Sequence, residues 1–407
     1  MSGRGSPVAR TGVALALWLI LVYGIALAWV PTHWAEFFGD AALLGMAAIA
    51  AVVWLIRGIW PVGSWLLLPI ALAPVRGLAQ IVFGTTADPY RTQTAALSLT
   101  ALAGAFVLGT YAFANRRANR LFRVLAVISG GVLAALSIAQ LFTSDGLVYW
   151  SIRSLYSTQP MGPFLNRDNY SAFIELVLPL ALWEATRSTR SAWFFGVPAA
   201  IMYASVIAGE SRAGSILVTL EALVVLVPAL VLRRRAGWGA MPRAIATAVL
   251  IVVFSTFVGW EDLLARFNDK DPYATRREYV ESSLLMIRDR PLAGSGLGTW
   301  SIVYPRYAVI DMQAASYHAH NDWLEWACDG GLPFLFLMLI PVARGSWLAL
   351  RYPWGLGVLA ASLHALVDFP FRVWCTPLCL ILLVAALEAR NSMARDEMPD
   401  TIHPFPC

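Results

Sequence analysis

Apolar runs about as long as a membrane is thick follow one another along almost the whole chain, and this restricts the folds open to it. Twelve can be drawn, at roughly residues 12–30, 41–60, 64–84, 94–114, 121–142, 169–186, 191–208, 213–232, 243–260, 323–343, 350–367 and 371–389. A hydrocarbon core takes about 20 residues of helix. Backbone amides in lipid must be satisfied within the segment itself, so these runs are expected as helices. Composition agrees: 58% of the 407 residues are hydrophobic and 14% charged, whereas about a quarter of a soluble domain is charged. These values exclude a disordered chain and a disulfide-stapled secreted domain. The expected fold is an all-α integral membrane protein, a single polytopic membrane domain over residues 1–407 with about 12 transmembrane helices.

The first run is too long for the apolar stretch of a usual signal peptide and reads as an uncleaved span. Arginine placement sets the orientation. With the N-terminus in the cytoplasm, Arg116, Arg117, Arg120 and Arg123, and then Arg233, Arg234 and Arg235, fall inside. The polar tail 391–407 is then cytoplasmic and is expected to be disordered. Two longer connections face outside, 143–168 and 261–321. The formal charge is +5, but the arginines are spread over loops with no aromatic interleaving, which argues against nucleic-acid binding. Cys375 and Cys379 lie one helical turn apart in an apolar run. No zinc-like ligand set accompanies them, so they read as small membrane-helix residues.

Candidate chemistry collects on the outside face. Gly209-Glu210-Ser211-Arg212-Ala213-Gly214 forms a tight turn between two spans, and Arg212 opens the second among small neighbours. It reads as an anion-binding arginine with room for a ligand, or as a snorkelling arginine paired with Glu210. Residues 276–291 form an amphipathic helix lying on the membrane and ended by Pro291. Arg276, Val280, Ser283, Leu284 and Ile287 share its apolar face, and Arg277, Glu281 and Arg288 a more polar one. Arg276 is the arginine expected to point into a pocket, with Arg277 the runner-up; a plain interfacial helix is the alternative.

The glycine-rich stretch Gly294–Thr299 suggests a phosphate cradle, but it lacks the lysine and the strand–helix context of a P-loop. A turn explains it nearly as well. Tyr317-His318-Ala319-His320-Asn321-Asp322 holds two of the five histidines. It offers a base or an acceptor-orienting donor, or a helix start capped by Asn321 or Asp322. The zinc patterns are absent around its H-x-H pair. Asp269-Lys270-Asp271, followed by Pro272, reads as a solvated turn rather than a metal-binding pair. Gly162–Tyr170, with Asn166, Arg167 and Asn169, is a polar entry to the sixth span. It forms a pocket wall, or only a helix start capped by Asp168 or Asn169. Arg76, in the third span near Pro69 and Pro74, is the one feature that suits a transporter.

Taken in order, G-P-F-L-N-R-D-N-Y (162–170), S-R-A-G (211–214), R-D-R-P-L-A-G-S-G-L-G-T-W (288–300) and H-A-H-N-D-W (318–323) resemble the O-antigen ligase and polymerase superfamily of bacterial envelope glycosyltransferases. The resemblance covers about Met161 to Gly331; over the first half it rests on span count and hydrophobicity. It implies a GT-C-like helical membrane enzyme of the bacterial inner membrane. Its termini would be cytoplasmic, and its long helical loop and active site periplasmic. Such enzymes take a glycan from undecaprenyl pyrophosphate with no cofactor and no metal. The implied partners are that donor, a lipid A–core or other glycan acceptor, and membrane lipids.

By this resemblance Arg212 matches the turn arginine, Arg276 the loop-helix arginine and His320 the histidine, with His318 as its alternative. Arg277, His318, Asn321, Asn166, Arg167, Asn169 and Arg288 are expected around the substrate. The arginines would meet the charge developing on pyrophosphate. His320 would accept a proton from the acceptor hydroxyl or orient it. Attack opposite the leaving group would invert the anomeric carbon through an oxocarbenium-like state. Pro333 and Phe334 depart from the usual ligase pattern after the glycine at 331. The short connection between spans seven and eight favours a ligase over a polymerase. A protein O-oligosaccharyltransferase and a lipid-linked glycan transporter complete the readings.

Overall fold

Eight helices among the described residues are long and apolar enough to cross a membrane. The computed structural model describes residues 6–30, 32–59, 63–154, 157, 159–187, 191–231, 240–268, 274–310 and 316–396. In chain order the helices are α1 (Pro7–Ala26), α2 (Trp34–Arg57), α3 (Leu67–Val82), α4 (Pro89–Phe113), α5 (Arg116–Thr143), α6 (Arg167–Arg187), α7 (Ala192–Ala208) and α8 (Arg212–Val231). They continue with α9 (Ala240–Val258), α10 (Glu261–Phe267), α11 (Ala274–Asp289), α12 (Trp300–Val303), α13 (Asp322–Arg351), α14 (Gly357–His364) and α15 (Cys375–Asp396). The eight candidate spans are α1, α2, α4, α5, α8, α9, α13 and α15; α3 and α7 are shorter apolar helices. A two-residue hairpin, Leu147–Val148 against Ile152–Arg153, is the only sheet among the described residues.

The expected sixth span is α6, and it falls outside the eight because it carries Arg167, Asp168, Glu175, Glu184 and Arg187. Every residue from Asn169 to Leu182 is buried. A helix enclosed on all sides needs no polar stripe, and its charges meet protein rather than lipid. It packs on α5, α7, α8 and α14 and forms the centre of the bundle.

The expected eleventh span, 350–367, is not one continuous helix. It consists of a 3₁₀ turn at Pro353–Gly355, the eight-residue α14 and a further turn. Eight residues make about 12 Å of helix, well short of a bilayer core. Such broken backbone is tolerated at membrane depth where protein covers it, and α14 is mostly buried against α6. A Cβ at Gly357 would meet the backbone of Leu176, so only glycine permits this approach.

α13 is bent at Gly331, whose φ of 75° and ψ of 173° are not helical. Pro333 disfavours helical geometry at Leu332, so the break falls just before it. The carbonyls it releases are taken up elsewhere. Arg76 Nε donates to the Gly330 carbonyl at 3.0 Å, and Gln80 Nε2 to that of Asp329 at 2.8 Å. The Arg76 guanidinium also reaches the Leu292 and Ala293 carbonyls. Arg76 therefore ties α3 to the loop after α11, and the feature that suited a transporter has a structural task.

Cys375 and Cys379 are fully buried in α15 and unpaired, as small packing residues are. α15 runs to Asp396, so the first residues of the expected disordered tail are helical. Arg233–Arg235, Asp269-Lys270-Asp271 and the rest of the tail lie outside the described residues.

Candidate active site

The site grows from the start of α6. Asn166 Oδ1 accepts from the backbone amides of Asp168 and Asn169, so Asn166 caps the helix in place of the expected Asp168 or Asn169. Asp168 is thereby free to bond elsewhere. Its Oδ1 accepts from Ser211 Oγ at 2.6 Å, and its Oδ2 lies 3.2 Å from Arg276 Nη2.

The α7–α8 turn supplies the next layer. Glu210 takes a left-handed φ of 57°, a conformation that costs a non-glycine residue on the order of 1–3 kcal/mol. It pairs with Arg167 at 2.6 Å and lies 3.9 Å from Arg266. Arg266 donates to the Glu210 carbonyl at 2.8 Å, and Arg212 to the Arg266 carbonyl at 3.0 Å. The space expected beside Arg212 is filled on one side, because a Cβ at Gly214 would strike Ser171. The glycine of S-R-A-G serves close packing of α8 on α6.

Arg212, Arg266 and Arg276 line one small cavity together with Asp168 and His364, about 10 Å³ in volume. Burial, then the neighbouring charges of Arg167 and Arg212, push the Arg266 guanidinium below its ordinary pKa. It stays charged.

His320 stands beside this cluster with a left-handed φ of 48°. Its Nδ1 lies 2.8 Å from Asp368 Oδ1, and Asp368 is 1% exposed in its side chain. The carboxylate accepts, so the shared proton sits on Nδ1. Tyr279 stacks on the imidazole at 5.8 Å with the planes 5° apart, and Phe369 meets it edge-on at 4.7 Å. Donor atoms of Asp168, His364 and Asp368 lie within 4.8 Å of one another, which joins the His320 side to the arginine side. That trio has the composition of a divalent-metal site. However, Asp168 is engaged by Arg276 and Ser211, and the three arginines of the cavity already supply positive charge.

α11 presents a different face from the one its periodicity suggests. Leu284 and Leu285 are exposed, while Glu278, Tyr279, Ser282, Ser283 and Met286 are buried. The reason is hydrogen bonding: Glu278 accepts from Ser282 Oγ, Tyr304 Oη and the Val309 amide, and Trp300 Nε1 donates to Ser283 Oγ. A satisfied polar face can be buried, and the leucines turn outward. Arg277 is exposed. Arg288 lies at the far end of the helix, about 18 Å along the axis from Arg276, so the fold does not bring it to the cavity.

The glycine-rich loop is not a phosphate cradle. The amides of Gly294 to Gly298 donate in turn to the Arg290, Cys328 and Asp329 carbonyls, Gln80 Oε1 and Asp329 Oδ2. Positive φ angles at Gly294, Gly296 and Gly298 make these bonds possible. His318 binds Glu325 at 3.1 Å and stacks on Phe369 at 4.5 Å. Asn321 caps α13 through the Leu324 amide. Asn169 is buried on α6.

The O-antigen ligase family model matches residues 197–339. The match supports the resemblance to the O-antigen ligase and polymerase superfamily. No curated protein matches the chain significantly. Together with the apolar helices, the match supports a multi-pass membrane protein, and the matched family is associated with glycan transfer. The ligase segment contains Arg212, Arg266, Arg276 and His320. Asp168, Glu175, His364 and Asp368, which hold or neighbour these groups, come from outside it. Sequence reasoning missed Arg266, His364 and Asp368. His364 carried one signal, a rare histidine inside an apolar run; Arg266 and Asp368 lie in the connections between runs, where charge is ordinary.

Proposed function

We propose that this chain is an inverting glycosyltransferase of the periplasmic face of the bacterial inner membrane. It moves an O-antigen-like glycan from undecaprenyl pyrophosphate to a lipid A–core acceptor. The observation that carries the reading is the convergence of Arg212, Arg266 and Arg276 on one cavity, with the His320–Asp368 pair beside it.

Arg212 and Arg276, with Arg266, meet the charge that develops on the leaving pyrophosphate. Guanidinium groups do this with fixed, bidentate geometry. They supply the positive charge that a divalent ion would otherwise bring, so the reaction is metal-independent. His320, with its Nδ1 proton held by Asp368, takes the proton of the acceptor hydroxyl at Nε2. Attack opposite the pyrophosphate inverts the anomeric carbon. The cavity has room for roughly one water, so donor binding requires the residues around it to move apart. The short Gly209–Ser211 connection between α7 and α8 favours transfer to a distinct acceptor over polymerisation.

The test is transfer in proteoliposomes, with purified protein, undecaprenyl-pyrophosphate glycan, lipid A–core and EDTA. Glycan moving onto the core, and lost in His320→Ala, supports the reading. Chain growth on the carrier without a core product identifies a polymerase instead. Transfer that stops with EDTA and returns with a divalent metal overturns the metal-independent step.

A further inference from the structure

His364 and Glu175 form a buried pair that the proposed mechanism does not use. Both side chains are 0% exposed, and His364 Nδ1 lies 2.7 Å from Glu175 Oε1. His364 Nε2 is also buried and has no hydrogen-bond partner among the described residues. His364 nevertheless lines the arginine cavity. An orphaned buried nitrogen is costly unless something bonds to it. The orphan here belongs to a ring that borders the place assigned to an anion.

We propose that His364 is a further anion-binding group of this site, an imidazolium held by Glu175 that presents its Nε2–H to a phosphate oxygen. The proposal rests on the pyrophosphate assignment of Arg212 and Arg276 and deepens it. Several charges act on His364. Glu175 and Asp168 approach from α6, and Asp368 from the turn after α14; all three favour the protonated ring. Arg212 on α8, Arg266 on α10 and Arg276 on α11 oppose it, and His320 stands on the far side of Asp368. Burial itself disfavours the charged ring, and the direct contact with Glu175 offsets that cost. An unprotonated His364 would instead offer Nε2 as a ligand to a cation, between carboxylates but beside three arginines.

The experiment measures binding of inorganic pyrophosphate to the full-length protein in detergent by calorimetry, across pH. His364→Gln, Glu175→Gln and Arg212→Ala are compared with the unaltered chain, and folding is checked by thermal unfolding. His364→Gln should weaken binding about tenfold, the scale of one lost charge-assisted hydrogen bond. Glu175→Gln, which keeps the shape, should move the loss of binding to lower pH. If His364→Gln does not fold, the Glu175→Gln profile decides. Arg212→Ala weakened with His364→Gln unchanged overturns the role of His364 and leaves the arginine assignment standing. Glu175→Gln with an unshifted profile also overturns it. No binding by the unaltered chain overturns both. Manganese binding that His364→Gln abolishes would make the site a cation site and overturn the proposal.

Discussion

Arg276 and Tyr279 stand one turn apart on α11 and touch the two halves of the site. Arg276 pairs with Asp168 at 3.2 Å, and the Tyr279 ring lies parallel to His320 with centroids 5.8 Å apart. A single short helix therefore sets the arginine cavity and the histidine relative to each other. Any movement of α11 that frees Arg276 also acts on the ring stacked against His320.

Tyr279→Phe should retain transfer activity, because the stacked ring remains. Tyr279→Ala should lower it by up to about tenfold, given the ~0.5–1.5 kcal/mol of an aromatic contact. Turnover with the two variants in proteoliposomes checks this; equal rates would remove Tyr279 from the positioning of His320.

Asp368→Asn should lower the transfer rate by about 100-fold or more, the contribution of a positioned general base. The amide preserves shape but no longer fixes the proton on His320 Nδ1. Donor binding should persist, since the arginines are untouched. A variant with normal turnover would show that His320 does not depend on Asp368.

Arg372→Met should destabilise the fold by about 3–5 kcal/mol, the cost of stranding buried charges. Arg372 lies 3.3 Å from Asp322, 3.2 Å from Glu325 and 3.6 Å from Asp329, and all three acids are buried. Thermal unfolding in detergent reports the loss. Adding Asp322→Asn should recover part of it, and failure to do so would mean the cluster is not electrostatically coupled.

Gly294→Ala should also destabilise, by about 2–4 kcal/mol, from a left-handed φ combined with overpacking. Its Cβ would strike the backbone at Asp329 and Gly331. Pyrophosphate affinity of the folded fraction should be unchanged, because the loop amides are already bonded within the protein. Calorimetry corrected for folded protein tests this, and a selective loss of affinity would restore the cradle reading.

Much of the architecture follows from local order along the chain. Apolar runs of bilayer length must become helices, because lipid offers their amides no partner. Asn321, the cap within H-A-H-N-D-W at the start of α13, and Arg212 opening α8, stand where local pattern puts them. The partners are another matter. Asp368 reaches His320 across 48 residues, Glu175 reaches His364 across 189, and Asp168 reaches Arg276 across 108. Nothing in the residues near His320 selects Asp368 over the other acids. The face of α11 was likewise decided from outside, by donors on Tyr304 and at Val309 that satisfy Glu278 and let a polar side turn inward. Periodicity shows which side of a helix is apolar. Which side is buried depends on what the rest of the fold offers to bond, and that is settled only when distant segments meet.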